Sequence, residues 1–506
     1  MNDKQSELTS IWQMSSHHKA YPPLQSDIEV DVAVIGGGIT GITTAFLLTE
    51  AGKNVAVFDA NQFGRGTTGH TTAKLTIQHD IIYDELLSHL GEEKAGQYYQ
   101  SQNAALSFAR QLVQKENISC GFSNEDAYLY ATTHHGEHRL RREKKAYEAL
   151  DIPHEFVTST PVELGARAAL KVPNQAQFHP LLFLTHLCDK MSEKGAQLFE
   201  ETLCINVSHK KDSVTVQTDK GHTITANKVI AATHFPFVDG GGLYMTRLKA
   251  DRSYVVAGST STPWQGGMYL SAEQPKRSLR GLTLNDKHYI LVGGDHHKAG
   301  QGMDARKHYD ALHDFAAETL ESFEAEQEWS AQDLITVDNI PYIGPLSGFE
   351  PNVLMATGYR KWGMTGGICA AQLLSDLIID GNSLYSDLYK PMRFHSDPSI
   401  KHFLKENVDV AKHLIAGKLN RDVEDIDDLE NGQGAVVKYK GKKAGAFKDE
   451  NGSLHVIDTT CTHMGCECNW NHADHTWDCP CHGSRYSYTG DVIEGPAKKP
   501  LEKLNE

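Results

Sequence analysis

The sequence predicts an α/β domain with a parallel sheet, a second domain built on an antiparallel sheet, and a small all-β domain near the C-terminal end. Three observations support this fold class. An apolar run, a glycine-rich turn and an apolar helical pattern follow one another over residues 31–48. Short β-branched runs recur in the middle of the chain, and others lie next to two boxes of cysteine and histidine after residue 430. A length of 506 residues leaves room for about three domains.

The overall charge excludes one class of partner. The chain has 65 acidic and 49 basic residues and a net charge of −16, which argues against a nucleic-acid-binding surface. Residues 1–25 are polar and contain no secretory signal, and no run of about 18 apolar residues occurs. We therefore expect a cytoplasmic protein with no nucleic-acid partner and no membrane anchor.

The first element is a strand, turn and helix of the kind that binds dinucleotides. An apolar strand leads into Gly36, Gly38 and Gly41, whose G-x-G-x-x-G spacing lets the backbone approach a pyrophosphate at the helix N-terminus. A second strand ends at Asp59, where a carboxylate can accept a ribose hydroxyl. This context predicts a Rossmann-like domain, but it does not separate FAD from NAD.

The next loop favours a flavin. Residues 64–74 are small and rich in hydroxyl groups, and they resemble the loop after the second strand in the D-amino-acid oxidase superfamily, which includes the glycine and sarcosine oxidases. The resemblance runs from about residue 28 to about residue 380. Further similar stretches are 178–180, 229–233, 329–333, 338–344 and 356–365.

The resemblance implies bound FAD and an antiparallel-sheet substrate domain that covers it. In the 64–74 loop it points to Thr67, Thr68 and His70. Near the end of the family pattern it points to backbone and side chains around the pyrimidine end of the flavin, from Gly358, Trp362, Gly363, Met364 and Thr365. Some relatives attach flavin covalently through a histidine in a similar loop. For His70, both a covalent bond and a simple hydrogen bond to the cofactor therefore stay open.

The substrate residues are the least determined part of the sequence. Arg247, Arg252 and Lys361 are candidates for clamping a substrate carboxylate, because a guanidinium fork suits that shape. The alternative is that they are ordinary solvated or ion-paired cations. No catalytic acid or base can be assigned. An apolar stripe with helical spacing over residues 309–323 is expected to pack in the core.

The two cysteine and histidine boxes predict a metal centre. Cys461 and His463 lie in the first box, and Cys479 and His482 lie in the second. Two thiolates and two imidazoles suit a Rieske [2Fe–2S] cluster, and they also suit a structural zinc site.

Both boxes resemble those of the Rieske family, whose patterns C-T-H-x-G-C and C-P-C-H-G-S are matched at residues 461–466 and 479–484. The resemblance implies a [2Fe–2S] cluster held by the four side chains just named and a disulfide between Cys466 and Cys481. It also implies that Ser484 and Tyr486 hydrogen-bond the cluster sulfurs, which raises the reduction potential. Residues 495–501 resemble the proline-containing loop that shields the cluster.

Three residues between the boxes have no role in the Rieske pattern. We expect Cys468, His472 and His475 to lie in surface loops.

These observations divide the chain into four segments. Residues 1–27 form an extension, 28–393 an FAD-dependent oxidoreductase with interleaved FAD-binding and substrate subdomains, 394–430 a linker with a helix up to residue 420, and 431–506 a Rieske domain.

The predicted function joins the two cofactors. An amine or amino acid gives hydride to the flavin, and the electrons leave one at a time through the cluster to a soluble acceptor. This hypothesis requires the C-terminal domain to dock close to the flavin. One alternative is that the cluster feeds electrons from a donor to the flavin for a reduction. Another is a redox sensor or binding protein without turnover.

Overall fold

The computed structural model describes residues 9–209, 213–302, 304–348, 350–393 and 425–504. The helix expected at 394–420 and residues 421–424 of the linker lie outside these ranges. The described helices are α1 (Ile11–Met14), α2 (Ile39–Glu50), α3 (Tyr83–Lys115), α4 (His134–Ala149), α5 (Pro180–Glu193), α6 (Arg306–Thr319), α7 (Gly363–Ile379) and α8 (Ser386–Tyr389). Within the described ranges, no helix has both the length and the apolar character needed to cross a membrane.

The strands up to residue 231 are β1 (Ile28–Ile35), β2 (Val55–Phe58), β3 (Lys74–Leu75), β4 (Ser123–Ala131), β5 (Glu155–Val157), β6 (Ala168–Gln177), β7 (Gln197–Phe199), β8 (Cys204–His209), β9 (Val214–Thr218) and β10 (Thr223–Ala231). From residue 248 follow β11 (Leu248–Thr260), β12 (Met268–Ser271), β13 (Arg277–Leu284), β14 (Lys287–Lys298), β15 (Glu324–Thr336), β16 (Tyr342–Pro345) and β17 (Val353–Thr357). The last strands are β18 (Gly434–Tyr439), β19 (Lys442–Lys448), β20 (Leu454–Ile457), β21 (Asn469–Asn471), β22 (Thr476–Asp478), β23 (Arg485–Ser487) and β24 (Val492–Glu494).

The first sheet has the predicted parallel centre. Its order is β16-β17-β10-β1-β2-β7, and β1 pairs in parallel with both β2 and β10. The predicted hairpin is also present, because β9 pairs antiparallel with the start of β10. Helix α2 packs against α7 over this sheet. The strand, turn and helix signals of the sequence are therefore confirmed.

The second sheet is mostly antiparallel and has the order β15-β11-β14-β13-β12-β4-β6-β3. The long strand β11 pairs antiparallel with β14 on one side and with β15 on the other. Helix α6 buries Tyr309, Leu312 and Ala316 against it, as the apolar stripe predicted. The helix ends at Thr319, so Phe323 packs from the following segment.

The C-terminal domain (residues 425–504) contains a three-stranded sheet, β18-β19-β20, and a four-stranded sheet, β21-β22-β23-β24. The four-stranded sheet packs on β11 and β15 of the N-terminal part (residues 9–393). Close backbone approach makes the contact tight. A Cβ atom on Gly300, which has φ +67°, would lie 2.5 Å from the carbonyl carbon of Cys479.

Buried charges hold the two parts together. Arg252 is 1% exposed and donates to Glu494 Oε2 at 3.1 Å, with Asp478 Oδ2 at 3.9 Å from its Nε atom. Arg485 pairs with Asp474 within the C-terminal domain. Burial opposes ionisation of Asp474, but the charges of Arg485 and Arg252 nevertheless lower its pKa. Arg252 therefore supplies a positive charge that balances carboxylates of the other domain.

Replacement of Arg252 by methionine tests this docking. The variant leaves buried carboxylates without their cation, so we expect a loss of about 3–5 kcal/mol in the free energy of unfolding. We also expect faster proteolytic release of the C-terminal domain. Urea unfolding and limited trypsin digestion measure the two effects.

Arg142→Met is the matched control. Its side chain is 56% exposed and pairs with Asp84 on the surface, so its removal changes stability by less than about 1 kcal/mol. Equal effects of the two substitutions would contradict a docking role for Arg252.

Candidate functional site

The glycine turn between β1 and α2 cannot accommodate side chains. Gly36 has φ +113°, and a Cβ atom there would lie 2.3 Å from the carbonyl oxygen of Ala232. A Cβ atom on Gly41 would lie 1.9 Å from the carbonyl oxygen of Gly36. Gly38 occupies the N-cap of α2 and has no side chain that could accept hydrogen bonds from the N–H groups of the first turn. The turn therefore fits a pyrophosphate at the helix N-terminus.

Asp59 and Thr68 fix this turn. The Gly37 N–H donates to Asp59 Oδ2 at 2.7 Å, and the Asn61 N–H donates to Asp59 Oδ1 at 2.8 Å. Burial raises the pKa of Asp59. The Ile39 N–H donates to Thr68 Oγ1 at 3.0 Å. Each carboxylate oxygen has two acceptor sites, so Asp59 can still accept a ribose hydroxyl while it holds the turn.

Thr67 and His70 lie in a short 3₁₀ helix between this turn and a cavity. Thr67 Oγ1 donates to the Gln332 carbonyl at 3.2 Å. His70 Nδ1 lies 2.9 Å from the Gly66 carbonyl, and the His70 carbonyl accepts the Trp329 indole N–H. Burial lowers the pKa of His70. The ring is thus neutral and held by its own loop.

The cavity has a volume of about 340 Å³ and lies against the second sheet, whose strands β11, β14 and β15 line it. The 64–74 loop contributes Thr67 and His70, and the start of α7 contributes Gly363 and Met364. Trp362 also lines the cavity and stacks on His79 at 4.9 Å between ring centroids. This size and position suit the flavin ring together with a small substrate.

Two other predicted FAD-binding residues, Thr365 and Gly358, contact neighbouring segments near the cavity. Thr365 is buried, and its hydroxyl both accepts from the Thr76 N–H and donates to the Thr76 carbonyl. Gly358 has φ +80°, and a Cβ atom there would lie 2.4 Å from a methyl carbon of Thr336.

The three basic substrate candidates lie in different places. Lys361 lines the cavity, with its Nζ 3.2 Å from Asp251 Oδ2. Arg247 instead donates to the Pro391 carbonyl at 2.7 Å and packs over the ring of Tyr342. Arg252 lies at the junction of the domains and is not among the residues that line the cavity.

The cavity has further charged groups that sequence reasoning missed. Arg360 lies next to Lys361, and both have left-handed backbones with φ +50° and +72°. Asp333 also faces the cavity, and burial raises its pKa. Lys74 donates to the Tyr269 carbonyl, and burial together with the charge of Arg280 lowers the pKa of Lys74 to about 7. The sequence signal for Lys74 was its place in the flavin loop.

A second buried carboxylate, Asp251, is ionised at the cavity wall. His296 Nδ1 lies 2.9 Å from its Oδ2 atom, opposite Lys361. Burial favours the protonated acid, but Lys361 and His296 lower the pKa of Asp251 below its ordinary value.

In the C-terminal domain, three thiols meet. The Sγ atoms of Cys461, Cys468 and Cys479 all lie within 4.8 Å of one another, and all three residues are buried. The structure also forms the disulfide between Cys466 and Cys481, with Cα atoms 6.6 Å apart. The disulfide joins the two boxes as the Rieske resemblance implied.

The two imidazoles belong to the same two boxes as Cys461 and Cys479 and are free to bind a metal. The rings of His463 and His482 lie 5.0 Å apart. Among the described residues, nothing hydrogen-bonds to the buried Nδ1 atom of either ring. Burial lowers the pKa of both side chains, that of His482 to about 4, so both are neutral as ligands must be. Two thiols and two orphaned imidazole nitrogens therefore fit a [2Fe–2S] cluster.

Two hydroxyl groups lie close to the cysteine and histidine boxes. The Tyr486 hydroxyl lies 3.2 Å from Cys461 Sγ. Ser484 is fully buried, and its hydroxyl accepts from the Ala497 N–H at 3.0 Å. Ala497 belongs to the proline-containing loop, which thus closes over the boxes.

The expectation for the residues between the boxes needs correction. Cys468 is 1% exposed and lies beside two thiols, so its assignment to a surface loop is wrong. Sequence spacing alone could not show that the turn after Cys466 leads back inward. His472 is exposed, whereas His475 is half-buried and stacks on Trp470 at 6.1 Å.

Comparisons with known proteins agree with this geometry. The family model for FAD dependent oxidoreductases matches residues 31–377, and the model for the Rieske [2Fe-2S] domain matches residues 421–505. The Rieske 2Fe-2S iron-sulfur protein YhfW of Bacillus subtilis (strain 168) is 45% identical over 496 residues, which is 98% of this chain and 97% of that protein.

More distant proteins match the N-terminal part. The gamma-glutamylputrescine oxidoreductase of Escherichia coli (strain K12) is 23% identical and covers 74% of this chain and 89% of its own. The solved structure of glycine oxidase from Geobacillus kaustophilus has a TM-score of 0.62 at 19% identity, over 72% of this chain and 99% of that one. That structure supports the fold alone.

The family matches extend over most of the chain, and the two sites have the residues that these cofactors need. The protein therefore belongs to the FAD-dependent oxidoreductase family, binds FAD, and has a C-terminal Rieske domain that binds a [2Fe–2S] cluster.

Proposed function

We infer that the protein is a dehydrogenase for an amine or amino acid, in which FAD takes the hydride and the cluster passes electrons on one at a time. We assign FAD to the residues of the glycine turn, the 64–74 loop and the start of α7: Gly36, Gly38, Gly41, Asp59, Thr67, Thr68, His70, Gly358, Trp362, Gly363, Met364 and Thr365. We assign the cluster to Cys461, His463, Cys479 and His482.

Gln332 is the observation that best supports electron transfer between the two sites. Its backbone carbonyl accepts from Thr67 Oγ1 in the flavin loop. Its side-chain Nε2 donates to the Gly483 carbonyl at 2.9 Å, and Gly483 is the direct neighbour of His482. One residue therefore contacts the flavin loop with its backbone and the cluster box with its side chain.

Because side chains alternate along β15 and β11, these two strands form a thin wall between the cavity and the C-terminal domain. Successive side chains of a strand point to opposite faces of the sheet. On β15, Ala331 and Asp333 line the cavity, whereas Ser330 and Gln332 hydrogen-bond the C-terminal domain.

Strand β11 is arranged in the same way. Asp251 and Ser253 line the cavity, whereas Arg252 bonds across the junction. Ala250 also faces the C-terminal domain, because its Cβ lies only 2.5 Å from the position that a Cβ atom on Gly483 would take. The cavity and the cluster domain thus lie on the two faces of the same strands, which supports electron transfer without domain movement.

Arg360 and Lys361 support a substrate with a carboxylate group. A left-handed backbone costs roughly 1–2 kcal/mol for each non-glycine residue, and two successive ones direct both residues to the cavity. Lys361 already pairs with Asp251. Arg360 donates to the His79 carbonyl at 2.7 Å, which leaves other N–H groups of the guanidinium for a carboxylate. Such strain is typical of binding sites.

Ala250→Leu tests electron transfer. The larger side chain wedges the domains apart without changing a polar group, so we expect slower reduction of the cluster by the flavin and an unchanged rate of flavin reduction. Anaerobic photoreduction of the flavin with EDTA, followed by absorbance changes of both cofactors, measures the first rate. Stopped-flow mixing with a panel of amines and amino acids measures the second.

Ala51→Leu, at the exposed end of α2, is the control and leaves both rates as in the unmodified protein. If the reduced flavin does not reduce the cluster in the unmodified protein, the dehydrogenase proposal is contradicted. A cluster midpoint potential below that of the flavin would reverse the proposed direction of electron flow.

Arg360→Met tests the carboxylate clamp. For an amino acid that reduces the flavin, we expect kcat/KM to fall about tenfold to a hundredfold, because a hydrogen bond to a charged group is lost. For the corresponding amine without a carboxylate, kcat/KM stays the same. Arg142→Met changes neither value. If Arg360→Met lowers both values equally, the residue does not read the carboxylate.

Release of the flavin tests the role of His70. Because Nδ1 of this ring contacts the Gly66 carbonyl, we expect a hydrogen-bonded loop rather than a covalent linkage. Acid precipitation then leaves all flavin in the supernatant and a polypeptide of unmodified mass in mass spectrometry. A polypeptide heavier by the mass of FAD would show the covalent bond instead.

A further inference from the structure

Cys468 is a buried thiol beside the cluster site that the Rieske pattern does not use. Its N–H donates to the Thr459 carbonyl at 2.9 Å, and the bridge between Thr460 and Glu467 precedes it. These backbone contacts turn the side chain inward, toward Cys461 and Cys479. The three Sγ atoms lie within 4.8 Å of one another.

We propose that Cys468 is a positioning residue for the cluster, whose thiol donates a hydrogen bond to a ligand sulfur and raises the reduction potential. A cysteine thiol is a weak donor, and a thiolate bound to iron is an acceptor. Reduction adds negative charge to the cluster and its ligands. A donor therefore stabilises the reduced form more than the oxidised form.

Cys468 differs from the neighbouring groups in the contacts that it can make. The disulfide sulfurs of Cys466 and Cys481 have no hydrogen to donate. Tyr486 approaches Cys461 through its hydroxyl at 3.2 Å. Cys468 approaches both cysteine ligands and adds a donor to the two hydroxyl groups, of Ser484 and Tyr486, that the family pattern contains.

Two other roles are compatible with the position alone. The side chain packs in an apolar cluster with Trp477 and Tyr486, so it could be a small hydrophobic filler. It could also be an iron ligand in place of one of the assigned residues. Substitutions that separate donation, volume and ligation decide among the three.

The experiment uses the full-length protein with both cofactors. The midpoint potential of the cluster is measured by EPR-monitored redox titration in the unmodified protein and in Cys468→Ala, Cys468→Val and Cys468→Ser. Alanine and valine remove the donor, and valine keeps the volume if alanine destabilises the domain. Serine keeps a donor of similar size. Cys120→Ala, which removes a buried thiol in the N-terminal part, is the control.

The proposal expects a lower potential in the alanine and valine variants. At a fixed applied potential, the ratio of reduced to oxidised cluster falls about tenfold, which corresponds to a hydrogen bond to a charged group. Serine and the Cys120 control keep the original ratio, and the EPR g-values of a cluster with two cysteine and two histidine ligands persist in all variants.

Three outcomes would overturn the proposal. An unchanged potential in the alanine and valine variants would leave Cys468 as a filler. A loss of iron, or new g-values, in all three variants would make it a ligand. A potential that falls equally with serine and with valine would show that donation is not the cause. Because potential and g-values are read without turnover, none of these results depends on the proposed substrate.

Discussion

The junction between the N-terminal part and the C-terminal domain depends on the positive charge of Arg252. Asp474, Asp478 and Glu494 place three carboxylates at the junction, and the C-terminal domain supplies only Arg485 against them among the basic groups that pair there. Buried carboxylates are costly unless they are paired and hydrogen-bonded. The strand β11 provides the missing cation. Each domain is therefore electrostatically incomplete alone, which favours a fixed junction over a C-terminal domain that swings on its linker.

Strands β11 and β15 contribute side chains both to the cavity and to the junction with the C-terminal domain. Arg252 lies next to Asp251 in the chain, and Gln332 lies next to Asp333. Alternation sends one residue of each pair to the cavity and the other to the junction. On either strand, a substitution at one position therefore affects the cavity, whereas a substitution at the next position affects the junction. A one-residue shift in register would exchange the two sets of side chains and would lose the docking charge and the cavity groups together.

The sequence predicted features that are formed by residues close together in the chain. It did not predict features that are formed by residues from distant segments. The glycine turn and the two cysteine and histidine boxes are short motifs whose spacing fixes their geometry, so they predicted a dinucleotide and a metal centre. The resemblance of these and further stretches to two families then indicated FAD and a [2Fe–2S] cluster. The cavity takes residues from several distant strands, and no local pattern marks Arg360 as its neighbour. From the sequence, Arg252 is a candidate for clamping a substrate carboxylate, with an ordinary ion pair as the alternative; the carboxylates that it meets belong to the chain itself. The inward position of Cys468 likewise depends on a bridge between backbone segments.

A fixed junction also gives the two proposed histidine ligands different surroundings. His482 is 6% exposed and adjoins Gly483, which contacts the wall. His463 is half-buried near Phe235 and is followed by Met464, whose side chain is 52% exposed. His463 is thus the more exposed of the two imidazoles, although Phe235 places it beside the N-terminal part as well. Under the proposed function, we expect electrons to enter the cluster from the side of the cavity and to leave at His463, the more exposed imidazole. The electron acceptor then never needs access to the cavity, which can keep water away from the hydride-transfer step.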